Sequence, residues 1–477
     1  MRFRSKFLSI NPEKAASLLI AVIFGTLFTF KLNVLLHLRP VADDYCFAAS
    51  LNDGFIHSLI FWYQSVQFDF FVLVSNLIFV GIPIQEFSTT VASLSSFLIT
   101  IFILIIFTAR NLRDKLIHLD FFHSAKLYLL LLAALLTFFW LQPSVFIFAS
   151  SMPILTEGPM MEVFSRITQH SLDVTNSWTF WGVVNSSYLI PFLFSFWFIL
   201  KSFAPSRLKV TISIFCGVLV GTSGYVIAAT TLVTILFLQV TQATTLSWKL
   251  QNFRLKLHYQ SILEILPTSL AIILGSAISF FSPGGAERRN ALKSLPQSAQ
   301  VSLQSFPVDF ARLFAEVSLN LGNLSAVLFG LLIGILFGKS EYVSLDRVNR
   351  LLTITGLYFF VCFGFTIASE FFSYRAYWHS FTLKFDLFIF LIALGVRISF
   401  SVVPTSGKKW LMVVTCPILL VCSLLGLVSQ IENRYASWST NINYGAISSL
   451  GDNASWVQGC YLDLKSTNPR KYYPEFR

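Results

Sequence analysis

The chain has 477 residues, of which 55% are hydrophobic and only 12% charged, with 51 phenylalanines and a mean hydropathy of +0.70. A soluble globular domain carries roughly 25% charged residues, so the composition excludes one and points to a multi-spanning helical membrane protein. The formal net charge of +11 does not signal a nucleic-acid partner, because the basic residues fall mostly in short loops between apolar runs, where they set topology and meet anionic lipid headgroups.

Arg2, Arg4, Lys6 and Lys14 precede a first apolar run over 15–38, and no small-residue cleavage site follows it. It reads as a retained span with a cytoplasmic N-terminus. That span delivers Arg39-Pro-Val-Ala-Asp-Asp-Tyr-Cys46 to the extracytoplasmic side. The stretch 53–83 is apolar but interrupted by Gln64, Gln67, Asp69, Asn76 and Pro83, which predicts helices lying in the interface. Spans then follow over 87–108, ending at Arg110, Arg113 and Lys115 inside, and over 127–148, opening a long external loop at 149–187. A span over 188–203 returns to Arg207 and Lys209, and 210–240 folds as two short spans about Gly221-Thr-Ser-Gly224. The run 262–281 exits to Ser282-Pro-Gly-Gly-Ala-Glu-Arg-Arg289, with a further interfacial helix at about 299–317. Runs over 321–338, 351–372, 382–402 and 411–428 complete the set.

The expectation is therefore an all-α polytopic membrane protein with about eleven spans of roughly 20 residues each. Its transmembrane domain covers 1–430, with external loops at 39–86, 149–187, 282–320 and 373–381, and an external C-terminal tail covers 431–477.

Asp43 and Asp44 are adjacent acids at a membrane boundary, in a chain that uses acids sparingly. Their mutual repulsion and partial desolvation suit one of them to act as a general base, with the other orienting it. The plainer reading is a solvated acidic loop. Arg288 and Arg289 run against the positive-inside trend and can grip phosphate with their forked donors; headgroup snorkelling is the alternative. Arg375 offers the same chemistry within Tyr374-Arg-Ala-Tyr-Trp-His379, where the aromatics also suit an interfacial belt. Trp181, Asn185 and Tyr188 bring aromatic faces and an amide to the entrance of a span, a surface able to stack on and hydrogen-bond a sugar. Gly330, Gly334 and Gly338 form a small-residue stripe for close helix packing, and Cys46 and Cys460, both assigned outside, can pair.

These features together resemble the GT-C superfamily of integral-membrane glycosyltransferases. The nearer resemblance is to bacterial glycosyltransferase-like membrane proteins with an Asp-Asp-Tyr first loop (here Asp43-Asp44-Tyr45), a Trp-Gly followed by Asn-x-x-Tyr (Trp181-Gly182, Asn185 to Tyr188) and a Ser-Pro-Gly-x-Ala-x-Arg loop (Ser282 to Arg288). A GT-C-like bundle is the fold the resemblance implies. The activity it implies is sugar transfer from a polyprenyl-phosphate-linked donor to a cell-envelope acceptor on the external face of a bacterial inner membrane, with inversion at a hexosyl or pentosyl centre. Asp43 or Asp44 would activate the acceptor, Arg288, Arg289 or Arg375 would hold the donor phosphate, and Tyr45, Trp181, Asn185, Tyr188, Tyr374 and His379 would line the substrate. Such proteins often carry a Gly-Arg pair in the first interfacial helix, where this chain has Ser65-Val-Gln-Phe-Asp69. No cofactor is expected; some superfamily members use a divalent metal and many do not, and the acids here are too few to call for one.

Two rival readings are a transporter or flippase of lipid-linked glycans and a non-catalytic scaffold. The first calls for charged residues along the spans and often for inverted repeats, and the sequence shows few such charges and no evident repeat.

Overall fold

The computed structural model describes residues 43–65, 69–86, 89–112, 121–141, 188–202, 207–241, 259–283, 321–337, 343–372 and 380–402, with single residues and short pieces within 18–29, at 317 and within 414–421. The architecture of these residues is all-helical, with no strand among them. The expected 149–187 loop, all but Val317 of the 299–317 helix, and the 431–477 tail lie outside the described residues, apart from the start of the helix that follows the loop.

The first element, α1 (Asp43–Ser50), runs through a single 3-10 turn, Leu51–Asp53, into α2 (Phe55–Ser65). Gly54 sits between them with φ of 97°, a backbone state that favours glycine. Then come α3 (Phe70–Asn76) and α4 (Ile82–Glu86), joined without a break by a π turn at Leu77–Gly81. Pro83 explains that turn, since a proline nitrogen cannot donate and its ring crowds the carbonyl one turn back, and a local widening of the helix relieves both. The polar breaks at Gln64, Gln67 and Asp69 fall at or near the junction of α2 and α3.

Longer helices follow: α5 (Thr89–Leu112), α6 (Phe121–Leu141), α7 (Ile190–Ser202), α8 (Arg207–Gly221), α9 (Tyr225–Thr241), α10 (Tyr259–Phe280), α11 (Leu321–Phe337), α12 (Leu345–Phe372) and α13 (Ser380–Val402). Leu, Ile, Val and Phe side chains fill them, and their threonines often satisfy themselves within the helix. Thr108, Thr137, Thr231, Thr355 and Thr366 each donate to the carbonyl four residues back at 2.7–2.8 Å.

Two glycine seams set the closest packing. Between α11 and α13, a Cβ at Gly330 would press on the Ile392 carbonyl and one at Gly395 on the Val327 carbonyl, while Gly334 faces Ser399. Between α8 and α10, Gly221 and Gly275 face each other across the backbones, with Gly217 against Ala271. Small residues let helix backbones approach closely, which the stripe at Gly330 and Gly334 anticipated; Gly338 lies outside the described residues. The helices α9 and α12 pack on each other and link the two seams, α9 against α10 and α12 against α13. The core is dominated by Phe138, Phe192, Phe196, Phe329, Phe385 and Phe388, all buried.

The outward faces are apolar too. On α10, Leu266, Leu270, Ile273, Leu274 and Ile278 are exposed, and Phe360 on α12 and Phe102 and Ile106 on α5 are likewise open. Among the described residues one helix, Leu345–Ala368, is long and apolar enough to cross a membrane.

Candidate functional site

Asp43, Asp44 and Tyr45 are the first three residues of α1. Acids in a first helical turn lie where the unpaired backbone N–H groups and the helix dipole favour negative charge. What distinguishes this helix is how firmly its other end is held. Phe47 stacks on Trp62 of α2 at 4.3 Å between ring centres, and Trp62 is almost wholly buried. The Trp62 indole N–H donates to Ser50 Oγ at 3.0 Å, and Ser50 Oγ in turn donates to the Phe47 carbonyl at 3.0 Å. Ser58 Oγ donates to the Ser50 carbonyl at 2.5 Å, closing the end of α1 onto α2. From below, Gly81 of the π turn comes so near that a Cβ there would stand 2.9 Å from Leu51 Cδ1 and 3.0 Å from the Phe47 carbonyl oxygen. Cys46, buried and one turn from Asp43, is disulfide-bonded. The expected partner, Cys460, lies outside the described residues, whereas Cys216 and Cys362 are free and buried.

Contacts also tie this platform to the ends of other helices. Tyr63 Oη donates to the Ile278 carbonyl at 3.2 Å, near the end of α10 where the 282–289 loop begins. The Phe71 amide donates to the Thr222 carbonyl in the turn between α8 and α9 at 3.2 Å, and the Phe71 ring lies 5.3 Å from Phe194 of α7. That turn falls where the Gly221 to Gly224 signal put it, with Gly224 at φ of 98°. Tyr188, half-buried just before α7, has its ring 6.3 Å from Phe381 at the start of α13. Of the expected site residues, Arg288, Arg289, Arg375, Trp181, Asn185, Tyr374 and His379 lie outside the described residues.

A second polar constellation sits inside the bundle, among α7, α9, α12 and α13. Tyr358 is fully buried, with its hydroxyl 3.3 Å from Ser195 Oγ and Phe192 packed edge-on at 5.4 Å. Cys362 and Asp386 are within electrostatic reach of it, and Thr230 lies beside Cys362. Asp386 is wholly buried and neither carboxylate oxygen has a hydrogen-bond partner. Lys384, also buried, sits over the Phe381 ring at 5.0 Å to its centre. Both ionisable residues fall inside the apolar run 382–402. Their rarity in such a run is the signal by which Asp386 can be found from sequence. Among the described residues no group of three or more His, Cys, Asp or Glu side chains is disposed to hold a metal ion.

Compared with known proteins, the chain matches no family model, no curated protein and no solved structure at significant similarity.

Proposed function

We propose that the chain is a multi-pass membrane glycosyltransferase that moves a sugar from a polyprenyl-phosphate-linked donor to a cell-envelope acceptor on the extracytoplasmic face. The observation that carries the reading is the Asp43-Asp44 pair opening a helix whose far end is clamped by Trp62, Ser58 and Gly81. A catalytic carboxylate gains from such anchoring, because a base must be held within hydrogen-bond reach of the hydroxyl it deprotonates. The Cys46 disulfide on the same helix fits an oxidising compartment, which favours the extracytoplasmic side for the acids. The exposed apolar faces of α5, α10 and α12 favour lipid over water around the bundle.

In this mechanism one carboxylate accepts the proton of the acceptor hydroxyl as its oxygen bonds to the anomeric carbon. The bond from that carbon to the phosphate oxygen breaks, and the electron pair leaves with the polyprenyl phosphate. Arg288, Arg289 or Arg375 would balance the charge growing on that phosphate. A lipid-borne donor gives the reaction a reason to occur at a membrane surface.

The test is sugar transfer by the purified chain in nanodiscs, supplied with a panel of polyprenyl-phosphate sugars and a membrane glycan extract. Asp43→Asn or Asp44→Asn, or both, should lower transfer by roughly 100-fold or more with the fold intact. No transfer from any donor by the folded wild type, with both variants still supporting the host's surface glycan, refutes the enzyme. The transporter reading has one observation in its favour, the buried Asp386 and Lys384, since ionisable groups inside spans often mark a transport path. Flipping of a lipid-linked glycan without transfer would select it.

A further inference from the structure

Asp69 stands at the N-cap position of α3 and does not behave as a cap for that helix. Its carbonyl accepts from the Leu73 amide at 2.8 Å, which starts α3, but its side chain makes no bond to the first turn. The half-buried carboxylate is turned onto the bundle instead, with Oδ2 3.6 Å and Cγ 3.9 Å from the point where a Cβ on Gly224 would stand. Gly224 is the residue before α9, and its carbonyl accepts from the Ala228 amide at 3.0 Å to open that helix.

The residues leading into α9 do not cap it. Gly224 carries no side chain, and the two hydroxyls before it turn back to α8: Thr222 Oγ1 donates to the Leu219 carbonyl at 2.9 Å and Ser223 Oγ to the same carbonyl at 3.0 Å. A helix of 17 residues presents N–H groups without intrahelical partners and a positive dipole end there, which a carboxylate from a neighbouring segment can satisfy.

Two more contacts from the same stretch of chain also end at helix termini. The Phe71 amide donates to the Thr222 carbonyl, just past the end of α8, and Tyr63 Oη donates to the Ile278 carbonyl in the last turn of α10. Donors thus meet the carbonyl ends of α8 and α10, and the acid meets the amide end of α9, each the sign that the helix end favours. Phe70 packs edge-on to Tyr63 at 6.2 Å, so these groups belong to one unit, α2 with α3. From Phe70 the helix runs on through the π turn to Glu86, and Gly81 in that turn lies against Phe47 and Leu51 under the acidic platform.

We infer that Asp69 is a positioning residue: its carboxylate caps α9 from a neighbouring segment and so seats the α2 and α3 unit, and with it the helix of Asp43 and Asp44, on the end of the bundle. The seating is independent of the reaction that the platform serves, while its consequence for sugar transfer rests on the transferase reading above.

The experiment is hydrogen–deuterium exchange of the purified full chain in nanodiscs, read by mass spectrometry in peptides that cover the first turns of α9 and in peptides that cover α1. Wild type is compared with Asp69→Ala, Asp69→Asn and, as a control, Leu332→Ala in the core of α11. Asp69→Ala should speed exchange at the start of α9 by roughly fivefold or more and loosen α1 as well. Asp69→Asn keeps a capping oxygen and loses the charge, and should speed exchange there by roughly two- to fivefold. Leu332→Ala should leave the difference between these regions and the rest of the chain as in wild type. In sugar transfer per folded molecule, Asp69→Ala should lower kcat by roughly tenfold with the donor KM within about twofold, and Asp69→Asn should restore most of the loss. Unchanged exchange at the start of α9 in folded Asp69→Ala overturns the cap. Faster exchange there, with α1 exchange or transfer as in wild type, overturns the positioning role. Should wild type transfer sugar from no donor, the transferase reading fails and the exchange of α1 alone decides the seating. Should Asp69→Ala fail to fold, Asp69→Asn decides, and exchange equal to wild type there overturns the cap.

Discussion

Trp62 offers a way to disturb the acidic pair without touching it. Its side chain is 1% exposed, stacks on Phe47 at 4.3 Å and donates to Ser50 Oγ at 3.0 Å. Trp62→Phe keeps a ring against Phe47 and loses one neutral hydrogen bond, a cost of about 1 kcal/mol. Ser50 Oγ is not stranded by the change, because it still donates to the Phe47 carbonyl. Trp62→Ala removes the ring and leaves a cavity between α1 and α2, which costs about 3–5 kcal/mol. Ser58 and Gly81 hold only the end of α1, so the acids should lose their fixed position before the bundle unfolds. Thermal unfolding in nanodiscs measures the first effect, and sugar transfer per folded molecule the second. Leu332→Ala, in the buried core of α11, serves as a control that destabilises without reaching α1. The expected order is a small loss of both quantities in Trp62→Phe, a large loss of transfer in Trp62→Ala, and lowered stability with normal transfer in Leu332→Ala. Transfer by folded Trp62→Ala equal to wild type would refute the idea that the platform positions the acids.

Gly395→Val should cost about 3 kcal/mol or more, because even a Cβ there would meet the Leu331 amide nitrogen at 2.7 Å and backbone cannot step aside; Gly364→Ala, with nothing within 4 Å, should be neutral or slightly stabilising, and melting curves compare the two. Peptide mapping under non-reducing conditions should join the Cys46 and Cys460 peptides while Cys216 and Cys362 label as free thiols after unfolding; pairing of Cys46 with Cys416 or Cys422 would contradict the external placement of α1. Phe360→Lys tests the lipid around α12, where Phe360 is 75% exposed: in a bilayer the change should weaken insertion of the helix by about 2.5–3.5 kcal/mol in a translocon assay, and no change would argue that this face meets water or protein.

What the sequence revealed and what it hid divide along the range of the interactions. The turn at Gly221 to Gly224, the break around Asp69 and the close-packing stripe at Gly330 and Gly334 depend on local residue chemistry, and the helices fall accordingly, whereas at Asn76 and Pro83 the helix runs on through a π turn instead of breaking. The clamp on α1 was not legible, since it joins Phe47, Trp62 and Gly81 through packing that no short pattern encodes. Gly81 in particular lies within continuous helix, where Phe47 and Leu51 press close enough to leave no room for a side chain. Asp386 was legible and easily overlooked, because one acid in a run of Phe, Leu and Ile barely alters its mean hydropathy.

The two acidic features impose opposite demands, which separates their roles. Asp43 and Asp44 open a helix, where the backbone N–H groups favour negative charge. Asp386 sits six residues past the start of α13, beyond the first turn and wholly buried, where an unpaired charge is costly. Asp386, inside the packed helices α12 and α13, bears instead on the stability of the bundle. The two acidic features are thus separable by mutation: the Asn variants at positions 43 and 44 should abolish transfer and leave the melting temperature unchanged, and Asp386→Asn should shift the melting temperature and leave transfer per folded molecule intact.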